Sequence, residues 1–164
     1  DGIPVHLGVP PDEWRSHRKP GDRVIYTGKI DGYFKGVHGP LPYRSLRFEH
    51  EWSATRLPNS IINQCNRLPH TRIYEHARFS GQNPPLTLIP RESPLAHGPG
   101  NEPYYPVPFG EGMAIYQRYR ALAAAETGTV FLGRLATYSY LDMWMAVAQA
   151  MTKLRPFLDG GTSQ

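Results

Sequence analysis

The sequence predicts an α+β fold, with an antiparallel sheet first and the helices late. Three observations point there. Short segments between residues 43 and 90 alternate side-chain character with period two. Apolar residues recur at helical spacing mainly after residue 110. Sixteen glycines and seventeen prolines among 164 residues favour short strands and loops over long helices.

Taken in order, "RVIYTG" (23–28) reads as a short apolar strand closed by Gly28, and "IDGYF" (30–34) as a helical turn. "YRSLRFEHEW" (43–52) alternates, with Arg44, Leu46, Phe48, His50 and Trp52 on one face. "NSIINQ" (59–64) and "HTRIYEHARF" (70–79) predict two further strands joined at "CNRLP". The second sets Arg72, Tyr74, His76 and Arg78 on a common face. "LTLIP" (86–90) is a last short strand of a sheet with one wet side. A helix at about 111–126 carries Ile115, Tyr119 and Leu122 inward and stops by Gly128. "TVFL" (129–132) predicts a strand, and "DMWMAVAQAMTKL" (142–154) a final helix with Asp142 as N-cap. Its Met143, Val147, Met151 and Leu154 are expected in the core, and Pro156 is expected to end it. Residues 1–155 then form one region, with strand and helix at 129–155 closing it and a flexible tail at 156–164.

A chain of this length suffices for one core. The lone Cys65 excludes an internal disulfide framework and fits a reducing, cytoplasmic setting. No run reaches the length of a membrane span, and no signal-peptide pattern opens the chain. The first residue is Asp1, not Met, so the chain reads as a piece of a longer protein. A net charge of +4 welcomes an acidic partner. Its arginines stand singly among Tyr, His and Glu, which suits a small phosphate ligand better than a nucleic-acid track.

No Gly-x-Gly-x-x-Gly follows a strand, so no dinucleotide fingerprint is present. The seven histidines lack metal-ligand spacing, and no nucleophile-elbow sequence occurs. Three features remain. Arg72 lies mid-strand on a polar face, either in a sheet-face salt bridge or as an anion grip. "NEPYYPVPFGEG" (101–112) sets two tyrosines between rigid prolines, either to fill the core or to present one to a pocket. "GRLATYSYLDM" (133–143) gathers Gly133, Arg134, Tyr138 and Tyr140 before a helix start, where the dipole favours anions.

Together, "RVIYTGKIDGYF", "YRSLRFE", "NSIIN", "PHTRIYEHARF", "EPYYPV" and "VFLGRLATYSYLDM" resemble the C-terminal part of the UDP-galactopyranose mutases, from about Val24 to Ala150. The resemblance implies an isomerase that interconverts UDP-galactopyranose and UDP-galactofuranose for cell-wall polysaccharide. Reduced FAD would act as nucleophile through a sugar adduct. It further implies that the last strand and helix complete a Rossmann-like FAD-binding domain, beside a sheet that binds substrate. Carried over residue by residue, Arg72 matches the arginine on the diphosphate. Tyr105 and Tyr140 match tyrosines donating to the phosphates, and Asp142 an aspartate needed for activity. Arg72, Tyr140 and Asp142 would be catalytic. Asn63 and Glu92 match further substrate positions. Gly133, Arg134 and Met143 match the flavin-contacting segment, and Gly28 a glycine approached by FAD. No metal is implied, and the partners would be the UDP-sugar and the N-terminal part of the same enzyme, with a homo-oligomer as an option. His70 stands where the family usually has tyrosine, and Leu132 where it has glycine. The alternatives are a non-catalytic sugar-nucleotide-binding module and a mutase for a related nucleotide sugar.

Overall fold

A computed structural model describes residues 2–10, 13–65 and 67–158. The chain divides into two units, one formed by Tyr43–Tyr104 and the other by Asp1–Pro42 with Tyr105–Gln164. In the outer unit a 3-10 turn, Glu13–His17, precedes strand β1 (Val24–Tyr26) and the single-turn helix α1 (Ile30–Tyr33).

The sheet unit then contributes β2 (Tyr43–Ser53), β3 (Ile61–Asn63), β4 (Arg72–Tyr74), helix α2 (His76–Phe79) and β5 (Thr87–Ala96). All of its pairings are antiparallel, in the order β3-β4-β5-β2. β2 therefore pairs with the distant β5, from Arg44↔Ala96 to Ser53↔Thr87, and β3 lies at the far edge.

Two expectations change here. The strand expected over 70–79 stops at Tyr74, and His76 and Arg78 leave the Arg72 face to form α2. The turn falls at Glu75, whose buried carboxylate meets the partly exposed Arg56 and Arg78. The strand expected over 86–90 instead runs through Pro90 and Pro94 to Ala96. The Glu92 carbonyl faces Thr71, accepting its N–H at 2.8 Å. Pro90 and Pro94 share Glu92's parity, so their missing donors face the short β4 and cost the β2 ladder nothing.

The chain returns to the outer unit through β6 (Tyr105–Pro106), α3 (Glu111–Ala125), β7 (Thr129–Phe131), α4 (Gly133–Ala136) and α5 (Met143–Leu158). β1 and β7 pair in parallel, Val24 opposite Thr129 and Tyr26 opposite Phe131. Aromatic rings fill this unit. Tyr33 meets Tyr26, Phe34 and Phe131 edge-on at 4.8–4.9 Å between centroids. Tyr119 is fully buried, and α3 closes against Pro42 and Tyr138 at Gly112, where a Cβ would meet both at 2.7 Å.

The expected strand 129–132 ends one residue early, since Gly133 takes φ +79° and starts α4. The core expected of the last helix is also corrected. Met143, Val147 and Met151 are 87%, 59% and 72% exposed, with Trp144 beside them at 70%. Nor does Pro156 end α5. It sits in the last turn, where a proline removes a single bond, and Arg23 holds the end by donating to the Phe157 and Leu158 carbonyls, 2.6 Å to the latter. Of the expected tail, 156–158 are helical and 159–164 lie outside the described residues.

Candidate functional site

In the sheet unit, register creates a cluster. β4 puts Arg72 opposite Asn63 on β3 and opposite Glu92 on β5. Arg72 Nε donates to Asn63 Oδ1 at 2.9 Å, and Nη1 donates to Tyr74 Oη at 3.2 Å. Tyr74 in turn donates to Glu92 Oε2, which stands 3.9 Å from Arg72 Nη1. Three residues expected from the sequence, Arg72, Asn63 and Glu92, thus meet on one sheet face. The guanidinium is 39% exposed while the carboxylate is nearly buried. Burial raises the Tyr74 pKa, with Glu92 pushing the same way and Arg72 opposing. The phenol stays a donor at neutral pH.

Tyr74 is the member that sequence reasoning left without a role. Its signal was present, since it lies two residues from Arg72 and so shares its face. Glu75, next along, was missed as well. It is fully buried, accepts the Leu57 N–H at 2.7 Å, and contacts Arg56 and Arg78. Burial opposes its ionisation, but that hydrogen bond and the two guanidiniums prevail and its pKa is lowered.

The outer unit holds a second cluster. The Tyr105 and Tyr140 rings stack at 6.0 Å and 17°. The Arg134 guanidinium lies 5.0 Å from the Tyr105 ring centre and 4.7 Å from that of Tyr140. Arg134 Nε donates to the Leu141 carbonyl at 2.6 Å, which fixes the bend between α4 and α5. Asp142 is exposed, and its carbonyl accepts the Ala146 N–H at 3.0 Å, the backbone position of an N-cap residue.

Gly28 and Gly133 lie just past the carboxyl ends of β1 and β7. A Cβ on Gly133 would come within 4.0 Å of Thr27, and the Gly133 N–H is taken by Gln149 at 2.8 Å. At Gly28 a Cβ would stand 2.7 Å from the Tyr26 hydroxyl, so the glycine also has a local steric reason. The carboxyl edge of parallel strands is where α/β folds take ligands. Among the described residues, no group of three or more His, Cys, Asp or Glu is placed to hold a metal ion. No helix among them is long and apolar enough to cross a membrane.

This is a mixed α/β protein with an antiparallel and a parallel sheet, carrying two arginine–tyrosine clusters. A family model described as UDP-galactopyranose mutase matches residues 1–140. A probable UDP-galactopyranose mutase of Klebsiella pneumoniae is 34% identical over 144 residues, 86% of this chain and 38% of that protein. A UDP-galactopyranose mutase of Mycoplasma pneumoniae is 35% identical, over 82% of this chain and 36% of its own length. A dTDP-fucopyranose mutase of Escherichia coli is 33% identical, over 78% and 35%. The chain belongs to the UDP-galactopyranose mutase family, and it spans little more than a third of the length of these relatives.

Proposed function

We propose that the chain is the C-terminal part of a flavin-dependent isomerase that interconverts UDP-galactopyranose and UDP-galactofuranose, and that by itself it is inactive. The observation carrying this reading is the gathering of Gly28, Gly133 and Arg134 at the carboxyl edge of the parallel pair, in a chain that matches the family over residues 1–140. The residues present fit one edge of a flavin: glycine backbone at a strand end, and the start of α5 with Met143 exposed. They supply no phosphate-binding glycine loop. That part belongs to an N-terminal segment, which would complete a Rossmann-like domain by covering the Met143, Trp144, Val147 and Met151 face of α5.

Reduced FAD, when bound, supplies the nucleophile that displaces UDP from the anomeric carbon. The remaining work falls to this chain's residues. Arg72 grips the diphosphate and offsets the charge that grows on it as the bond breaks. Asn63 and Glu92 hold Arg72 in orientation. The Tyr105 and Tyr140 hydroxyls donate to phosphate oxygens, and Arg134 keeps their rings stacked. Asp142, which is exposed, would act beside the substrate, and the first turn of α5 would favour negative charge on the reduced ring.

The test compares the protein carrying this chain plus the FAD-binding part with the 164-residue chain alone. Each is reduced with dithionite and given UDP-galactofuranose, with dTDP-fucopyranose and its five-membered-ring isomer in parallel. The longer protein should form the six-membered-ring isomer, and the chain alone should neither retain flavin nor turn over. No isomer from the reduced longer protein defeats the isomerase reading. Conversion of the deoxysugar alone moves the protein to the related-sugar reading.

A further inference from the structure

We infer that Tyr138 is a positioning residue for the Tyr105–Tyr140 pair: its buried hydroxyl ties the turn between α4 and α5 to the segment that carries Tyr105. The inference rests on the reading of those two tyrosines as phosphate donors.

Tyr138 is a bulky residue in a glycine's conformation. Its φ is +45°, and the next residue, Ser139, donates its N–H back to the Arg134 carbonyl at 3.1 Å. That bond closes α4 with a helix-ending motif whose left-handed position usually falls to glycine. A large side chain keeps such a backbone only where its surroundings hold it there. Here they do. The ring is buried, and its hydroxyl stands 2.8 Å from the carbonyls of both Pro42 and Val107. Those two residues are themselves joined, the Val107 N–H donating to the Pro42 carbonyl at 3.1 Å. Gly112 leaves room for the hydroxyl, since a Cβ there would stand 2.7 Å from it.

The spacing along the chain gives the tie its meaning. Tyr105 lies two residues before Val107, and Tyr140 lies two residues after Tyr138. A bond from the Tyr138 hydroxyl to the Val107 carbonyl therefore sets the distance between the backbones that carry both rings. The Arg134 bond to the Leu141 carbonyl shapes the turn but closes it on itself, so it leaves that distance open. With the tie made, the two rings stack at 6.0 Å with the Arg134 guanidinium against each. Two phenols held this way can address one diphosphate together. A glycine at 138 would make the same turn without strain and would leave Tyr140 unplaced against Tyr105.

Two measurements decide it, both on Tyr138→Phe, which keeps the buried ring and removes the tie. A crystal structure of this variant chain should show the Tyr105–Tyr140 centroids parting from 6.0 Å to beyond about 7 Å, the outer limit of an aromatic pair. Rings still stacked at the wild-type separation overturn the inference. In the flavin-bound longer protein, calorimetry should find UDP bound about tenfold more weakly by Tyr138→Phe, the worth of one hydrogen bond to a charged group. Added to a Tyr105→Phe/Tyr140→Phe background, which lacks both donor hydroxyls, the same change should cost less than about twofold. A merely structural tyrosine predicts an equal loss in both backgrounds or none in either, and each of those results overturns the inference. If the wild-type holoprotein binds no UDP, the phosphate-donor reading fails, and the crystallographic separation still judges Tyr138.

Discussion

The two units differ in the ionisable side chains that each buries most completely. The sheet unit buries a charge: Glu75, without solvent access, is held ionised by Arg56, Arg78 and the Leu57 N–H. The outer unit buries phenols. Tyr119 accepts the His38 N–H at 3.0 Å and donates to the Gly39 carbonyl at 2.6 Å. Tyr138 places its hydroxyl 2.8 Å from the Pro42 and Val107 carbonyls. A buried carboxylate fails when it gains a proton and a buried phenol when it loses one. The same fold thus carries an acid-sensitive half and an alkali-sensitive half.

The largest expected effect tests the phenol half. Tyr138→Ala opens a cavity among Pro42, Gly112 and Tyr116 and should cost about 3–5 kcal/mol of stability by denaturant unfolding. Tyr138→Phe should cost only about 0.5–1.5 kcal/mol, because both carbonyls keep a backbone donor, Val107 N–H for Pro42 and Phe109 N–H for Val107. Equal losses from the two variants would show that the hydroxyl, not the ring, holds this unit.

Next comes the charge on the sheet. Arg72→Ala in the flavin-bound longer protein should weaken UDP binding about a hundredfold, read by calorimetry. Arg72→Lys should recover little, since a point charge does not replace a fork that binds Asn63 and Tyr74 together. Full activity with lysine would put the weight on charge alone.

The pH limbs sharpen the comparison. Glu75 has a lowered folded-state pKa, so its stabilisation is present above about pH 4.5 and is lost as pH falls further. Tyr138 is pushed by burial from 10.0 up to about 12, so its stabilisation holds below pH 10 and is lost between 10 and 12. Amide exchange across the two units should show sheet protection failing first in acid and outer-unit protection first in alkali. Glu75→Gln should begin less stable and lose the acid limb. The reverse order would undo the contrast between the halves.

The smallest effect concerns the open face of α5. Trp144→Ala should change the stability of the isolated chain by no more than about 0.5 kcal/mol, because the ring is 70% exposed. The same change should cost more in the longer protein, where the face is proposed to be covered. Equal small effects in both would leave that face without a partner.

Local pattern alone disclosed much of this molecule. Period two showed β2 and the beginning of β4, helical spacing showed α3, and the strand–glycine junction at 131–133 marked the end of β7. Arg72 was legible as a candidate from its place on a polar strand face, and Asn63 and Glu92 only through the family resemblance. Their meeting was not, because register between strands set by long connections is a property of the closed sheet. Tertiary structure decided the rest. Half of an expected strand became α2 where Glu75 goes inward, and proline parity let β5 pass two residues that read as stops. The apolar stripe of α5 remained open for the same reason: spacing says which residues share a face, and only the surrounding chain says whether anything covers it.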